Sequence, residues 1–201
     1  MRIIAGTAKG TRLKTVSGQI RPTTDRVKES LFQIIGPYLD GGWVLDLFAG
    51  SGSLGLEALS RGAEQAIFID QSRSSVDTVR NNLNAAGLEG RAEVYRRDAK
   101  AAIRALVRRN VSFRYIFLDP PYRDPILPGV VHQIAEGNLL EEGGVLVAEH
   151  AAQFTLKESY RQIYRTRVMR YGDTQIDLYR RREKQEEEVA ADEGSRLSRE
   201  F

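Results

Sequence analysis

A chain of 201 residues with a hydrophobic fraction of 41% is long enough for one principal domain with a real core. No apolar run approaches the ~18 residues that cross a bilayer, and no apolar stretch of a signal peptide follows Met1-Arg2-Ile3-Ile4-Ala5-Gly6, so a soluble cytoplasmic protein is expected. With a net charge of +3, no Cys and only His132 and His150, neither a disulfide framework nor a Cys- or His-rich metal site is expected.

In chain order, Arg2–Ile4 and Thr11–Leu13 flank a Gly-containing turn and read as a small hairpin. The first 28 residues carry seven bases against one acid, which suggests a phosphate backbone as a partner. Arg21-Pro22-Thr23-Thr24-Asp25 reads as a loop ending in helix-capping residues. Val27, Leu31, Ile34 and Ile35 follow at helical spacing, predicting an amphipathic helix over 24–36. From Trp43 the pattern becomes alternating. Strands are predicted at 43–48, 66–70, 92–97, 115–119 and 144–149, with helices at 54–60, 74–86, 99–109 and 130–137. Such alternation implies βαβ units and a mostly parallel sheet covered on both faces. The runs 162–171 and 174–181, joined by Gly172-Asp173, predict a closing antiparallel hairpin. Residues 183–201 hold seven acids and three bases and are expected to be a disordered tail.

The junction after the first strand reads Asp46-Leu47-Phe48-Ala49-Gly50-Ser51-Gly52-Ser53-Leu54-Gly55. Its glycines match G-x-G-x-x-G, which permits a tight turn and close approach of a ligand to the backbone. Asp70, at the end of the next strand, is placed to bond both hydroxyls of a ribose. An adenosine-bearing cofactor follows. Asp46 would repel a pyrophosphate but attract a cation, which favours S-adenosylmethionine over a nicotinamide dinucleotide. The alternative role of Asp46 is a structural acid bonding loop N–H groups. Asp98 can bond an adenine amine, cap the helix that starts at Ala99, or both. The candidate cofactor-binding residues are Asp46, Phe48, Ala49, Gly50, Ser51, Gly52, Asp70, Gln71, Asp98 and Ala99.

The fourth strand runs into Asp119-Pro120-Pro121-Tyr122. Two prolines stiffen this loop, and ligands of open α/β sheets bind outside the carboxyl ends of the strands. An exocyclic amine on a flat ring is a weak nucleophile, because its lone pair is delocalised. Acceptors on both N–H bonds, from the Asp119 side chain and the Pro120 carbonyl, would favour a tetrahedral nitrogen and stabilise its developing charge. Tyr122 can stack on the base. Asp119, Pro120, Pro121 and Tyr122 are therefore the candidate catalytic residues. Methylation at pyrimidine C5 generally needs a Cys nucleophile, which this chain lacks, so amine methylation is the consistent chemistry.

Val44–Gly52 with Asp119–Tyr122 resembles the class I S-adenosylmethionine-dependent methyltransferases. Residues 2–6, 21–32 (Arg-Pro-Thr-Thr-Asp-Arg-Val-Lys-Glu-Ser-Leu-Phe) and 55–63 (Gly-Leu-Glu-Ala-Leu-Ser-Arg-Gly-Ala) narrow the resemblance to the RsmD family of bacterial enzymes. It implies a Rossmann-like, seven-stranded, mostly parallel sheet with a reversed final strand. It also implies methyl transfer to the N2 amine of a guanine in 16S ribosomal RNA, as free RNA or in a small-subunit particle, and adds Thr23 and Arg26 as cofactor-site candidates. Residues 1–182 are expected to form a single methyltransferase domain, with a basic hairpin and helix over 1–40 and the catalytic α/β core over 41–182. A monomer without metal or membrane contact is favoured. Adenine N6 remains an alternative target, since the same loop chemistry serves it equally well.

Overall fold

In the computed structural model, which describes residues 1–16, 25–121 and 126–182, the alternating region forms five parallel strands. These are β1 (Trp43–Asp46), β2 (Gln65–Asp70), β3 (Ala92–Arg96), β4 (Phe113–Leu118) and β5 (Leu140–Ala151). Helix α1 (Asp25–Ile35) precedes them, and α2 (Ser53–Ser60), α3 (Arg73–Ala86), α4 (Ala99–Arg109) and α5 (Leu127–Glu136) connect them in turn. The chain then adds β6 (Ser159–Tyr160), β7 (Ile163–Tyr171) and β8 (Thr174–Arg181). Across the sheet the order is β3-β2-β1-β4-β5-β8-β7-β6. β8 is inserted antiparallel between β5 and β7, so the sheet is mixed α/β with a reversed end, as expected.

Three local differences from the sequence reading have simple causes. The two-residue β6 makes an eighth strand, and it is too short to show an alternation. β5 begins four residues before the apolar run, because Leu140 pairs with Phe113 ahead of a register shift, while Glu141-Glu142-Gly143 hides that start. Helix α5 starts three residues early. Pro128 sits in its first turn, where a missing N–H costs nothing. The expected loop over 21–24 and the tail after Arg182 lie outside the described residues.

The strands bury both faces. Val44, Tyr115, Phe117, Val145, Val147, Ile176 and Leu178 join a core with residues of α1, α2 and α3. Leu45, Ile116, Leu118, Leu146, Ala148 and Tyr179 join a second core with α4 and α5. Alternation along each strand produces this partition.

The N-terminal segment is bound to the first face by polar contacts as well as apolar ones. Ile3 and Leu13 are buried in the α1–α3 core, and a bridge pairs Arg2 with Arg12. Gly6 has φ +83°, and a Cβ there would lie 1.7 Å from the Ser60 carbonyl oxygen, so only glycine allows this approach. The Ile4 and Ala5 N–H groups donate to the two oxygens of Glu57 at 2.9 and 3.1 Å. Glu57 also pairs with Lys28 at 3.2 Å and Arg61 at 2.8 Å, with its own side chain and that of Lys28 both 0% exposed. Lys28 donates further to the Arg2 carbonyl and to Ser53 Oγ. Arg61 donates to the Pro37 carbonyl and lies over the Phe32 ring. Burial holds the Lys28 ammonium below its ordinary pKa, against the opposing pull of Glu57.

Removing the centre of this cluster strands two buried cations. Glu57→Ala is expected to cost about 3–5 kcal/mol of stability, measured as a lowered urea midpoint. A loss below about 1 kcal/mol would place the cluster among ordinary surface pairs.

Candidate active site

The glycine loop is built by short backbone bonds at the carboxyl end of β1. Gly50 and Gly52 have φ +53° and +77°, the left-handed region that favours glycine. The Gly52 N–H closes a turn onto the Ala49 carbonyl at 2.6 Å, and the Ala49 N–H bonds Ile69 on β2 at 2.9 Å. The third glycine serves packing: a Cβ at Gly55 would stand 2.4 Å from the Phe68 ring, so its absence lets α2 lie close on β2. Phe48 packs half-buried on the α4–α5 core, and Ser51 is buried.

Two of the three acids proposed for the cofactor, Asp70 and Asp46, bind this loop. Asp70 Oδ2 accepts the Gly50 N–H at 2.9 Å, and its Oδ1 accepts the Ser72 N–H at 2.8 Å. It therefore joins the glycine loop to the start of α3, and each oxygen keeps a second lone pair for a hydroxyl. Asp46 is buried at 3% exposure, and its Oδ2 accepts the Gly55 N–H at 3.1 Å. Burial, with a smaller push from Asp70 and against the Gly55 bond, raises its pKa to about 7. The structural role weighed for Asp46 is thus present, and it leaves a buried carboxyl whose charge a nearby cation would restore.

Asp98 caps α4, its Oδ1 accepting the Ala101 N–H at 2.9 Å. Ala99 is buried and Gln71 exposed, the Gln71 carbonyl accepting a bond from Arg96. Arg26 is exposed on α1. Thr23 and Tyr122 lie outside the described residues. Asp119 follows β4 directly, half-buried, with Pro120 buried and Pro121 exposed behind it.

The topology brings the two loops side by side. β1 and β4 are parallel neighbours with Asp46 opposite Phe117, and the Leu47 N–H bonds the Phe117 carbonyl at 3.1 Å. The glycine loop and Asp119-Pro120-Pro121 therefore leave adjacent strands at one edge. Strand order reverses between β1 and β4, which is where open α/β sheets form their ligand crevice.

A family model described as "Conserved hypothetical protein 95" matches residues 1–180. The chain belongs to this family. Among the relatives, a Bacillus subtilis protein named "Putative rRNA methyltransferase YlbH" is 49% identical over 90% of this chain and all of its own length. "Ribosomal RNA small subunit methyltransferase D" of Escherichia coli is 39% identical over 74% of this chain and 71% of its own, in line with the RsmD resemblance. A solved Escherichia coli structure described as "Putative methyltransferase yhhF" superposes with a TM-score of 0.77 at 31% identity, covering 90% of this chain and 98% of that one.

Sequence reasoning on this family member missed Asn82 of α3. Its Nδ2 donates to the Ser51 carbonyl at 2.9 Å and the Lys14 carbonyl at 3.0 Å, and its Oδ1 accepts the Lys14 N–H at 2.8 Å. One amide thus holds the N-terminal segment against the glycine loop. The available signal was a polar residue on an otherwise apolar helix face, between Val79 and Leu83.

The Asp46 pKa sets a sign. The folded form holds the proton up to about pH 7, whereas the unfolded acid loses it near 4. Stability should therefore fall as pH rises across that window. Asp46→Asn should flatten this decline, so the stability gap between variant and wild type should move in the variant's favour from pH 4.5 to 7.5 in denaturant titrations. A gap independent of pH would contradict it.

Proposed function

We propose that this protein methylates the exocyclic N2 amine of a guanine in small-subunit (16S) ribosomal RNA, with S-adenosylmethionine as methyl donor. The observation that carries the reading is the pairing of β1 with β4, which starts the glycine loop and the Asp119 loop side by side. Residues 1–182 are taken as one methyltransferase unit. Small-subunit ribosomal RNA is the substrate class that the relatives' names carry, and guanine N2 follows from the family resemblance.

The chain's residues fit the donor. When bound, S-adenosylmethionine supplies an electrophilic methyl on a sulfonium, beside an amino-acid ammonium. The buried Asp46 carboxyl suits a cation. Its pKa of about 7 means that a positive neighbour favours the ionised form. Gly50 and Gly52, both at positive φ, have no Cβ, so a donor could approach the backbone closely at these two positions. Asp70 offers its remaining lone pairs to ribose hydroxyls. Asp98 can bond the adenine amine through the oxygen not engaged with Ala101.

On the acceptor side, Asp119 and the Pro120 carbonyl accept the two N–H bonds of the base amine. Both are needed as nitrogen turns from planar to tetrahedral, and the carboxylate stabilises the positive charge that builds there. Tyr122 covers the face of the base. Alignment and electrostatics then do the protein's share of the work.

Wild-type protein should transfer tritium from labelled S-adenosylmethionine into small-subunit RNA of cells lacking the enzyme, offered naked and as assembled subunits. The label should sit on guanine N2 by nucleoside mass spectrometry. Asp119→Ala should lose about a hundredfold or more in rate with cofactor affinity within about threefold. Label in neither substrate would sink the reading, and label on adenine would redirect it to N6. Cofactor affinity should also weaken about eightfold from pH 7.5 to 6 as Asp46 protonates, and calorimetry should find that dependence gone in Asp46→Asn.

A further inference from the structure

Two further carboxylates are buried near the edge of the sheet that carries the two loops: Asp177 on β8, which accepts from Arg165 and Gln175, and Glu149, to which the reading above gives no role. It lies near the end of β5 at 6% exposure. Val145 and Val147 belong to the α1–α3 core, and Leu146 and Ala148 to the opposite one. Alternation therefore sets Glu149 on the α1–α3 face. Tyr115 and Phe117 set Asp119 on that same face. β4 and β5 are parallel and their pairing ends with Leu118 opposite Ala148, so Asp119 and Glu149 each directly follow that last pair, on backbones that leave it ~4.8 Å apart. Asp46 occupies the same face on β1, two residues deeper, opposite Phe117. Moving outward from the cofactor loop, the edge thus carries Asp46, then Asp119, then Glu149.

This order matches the edge of one purine. Guanine presents two adjacent donors, the N2 amine and the ring N1–H. Adenine and 2-aminopurine carry an amine too, but the ring nitrogen beside it is an acceptor. Two neighbouring carboxylates accept two neighbouring donors, whereas a ring lone pair facing a carboxylate is repelled. A carboxylate set to accept a donor discriminates against the analogue that presents a lone pair there, because attraction is replaced by repulsion.

We propose that Glu149 is a specificity-determining residue that accepts the guanine N1–H while Asp119 holds the N2 amine. The proposal rests on the guanine-N2 reading. The longer Glu side chain reaches past Asp119's level to the ring nitrogen, and the preference for guanine over other aminopurines is a property of this strand pair.

The test is RNA bearing either guanine or 2-aminopurine at the position that the wild type methylates. 2-Aminopurine keeps the 2-amine and replaces N1–H by a lone pair. Wild type should prefer guanine about a hundredfold in kcat/KM. Glu149→Gln, whose amide can donate to that lone pair, should compress the preference to within about tenfold. Glu149→Ala, which removes both attraction and repulsion, should compress it as well. Circular dichroism and S-adenosylmethionine affinity report whether each variant is folded, and a purely structural role would lower both rates without changing their ratio. Equal wild-type rates on the two bases, or an unchanged ratio in a folded variant, would overturn the proposal. If one variant fails to fold, the other and the wild-type comparison still decide. Absence of wild-type label on guanine itself is a different outcome, which removes the parent reading instead.

Discussion

The buried carboxylate of Glu57 is the constraint on which the rest of the architecture leans. It lies in the middle of α2, the helix that follows the glycine loop, and it accepts from two backbone amides and two cations. A lone carboxylate in that position would cost several kcal/mol; here its acceptor sites are engaged. The result is a joint among three parts of the chain that are far apart in sequence: the N-terminal strand segment, α1 through Lys28, and α2 itself. Because Lys28 also bonds Ser53, the joint reaches the first residue after Gly52. The loop that would cradle a cofactor is thus braced from behind by charge and from the side by Asn82.

Two kinds of acid share the site. Asp46 and Asp70 stabilise the glycine loop by accepting from Gly55 and Gly50, and in the proposed function the same two carboxyls face the donor. Asp119 stands outside that scaffold on the next strand. Under the proposed function, a division of this sort would separate holding the donor from activating the acceptor. It also lets one sheet edge serve both, since the switch in strand order opens the crevice between them.

Much of this was legible in the sequence. Runs of apolar residues alternating with helical spacing marked the sheet, and the glycines with Asp46 and Asp70 marked the loop. What stayed hidden were contacts between distant residues. Lys28 looks like one more base in a basic segment, yet it is wholly buried. Glu57 and Arg61 read as an ordinary helical i,i+4 pair, and nothing local says that Ile4 and Ala5 complete it. The three stretches that narrowed the resemblance, 2–6, 21–32 and 55–63, meet in this joint through Ile4, Ala5, Gly6, Lys28, Glu57, Ser60 and Arg61. The stretches that carried the resemblance are thus in large part those that assemble the support, while Asp46 and Asp119 belong to the proposed chemistry. Short pairings such as β6, and the early start of β5, escaped because neither carries enough residues to show a period.

The reversed strand β8 has a practical consequence. Thr174 pairs with Ala151 at the edge that carries the two loops, while Arg180 pairs with Val145 toward the opposite edge. Seven steps of about 3.3 Å carry the backbone from Thr174 to Arg181, some distance of about 23 Å. Arg182 therefore leaves the sheet on the side away from both loops. A fluorescent label or an immobilisation handle coupled at that residue would start remote from the crevice and leave both loops accessible to a bulky partner.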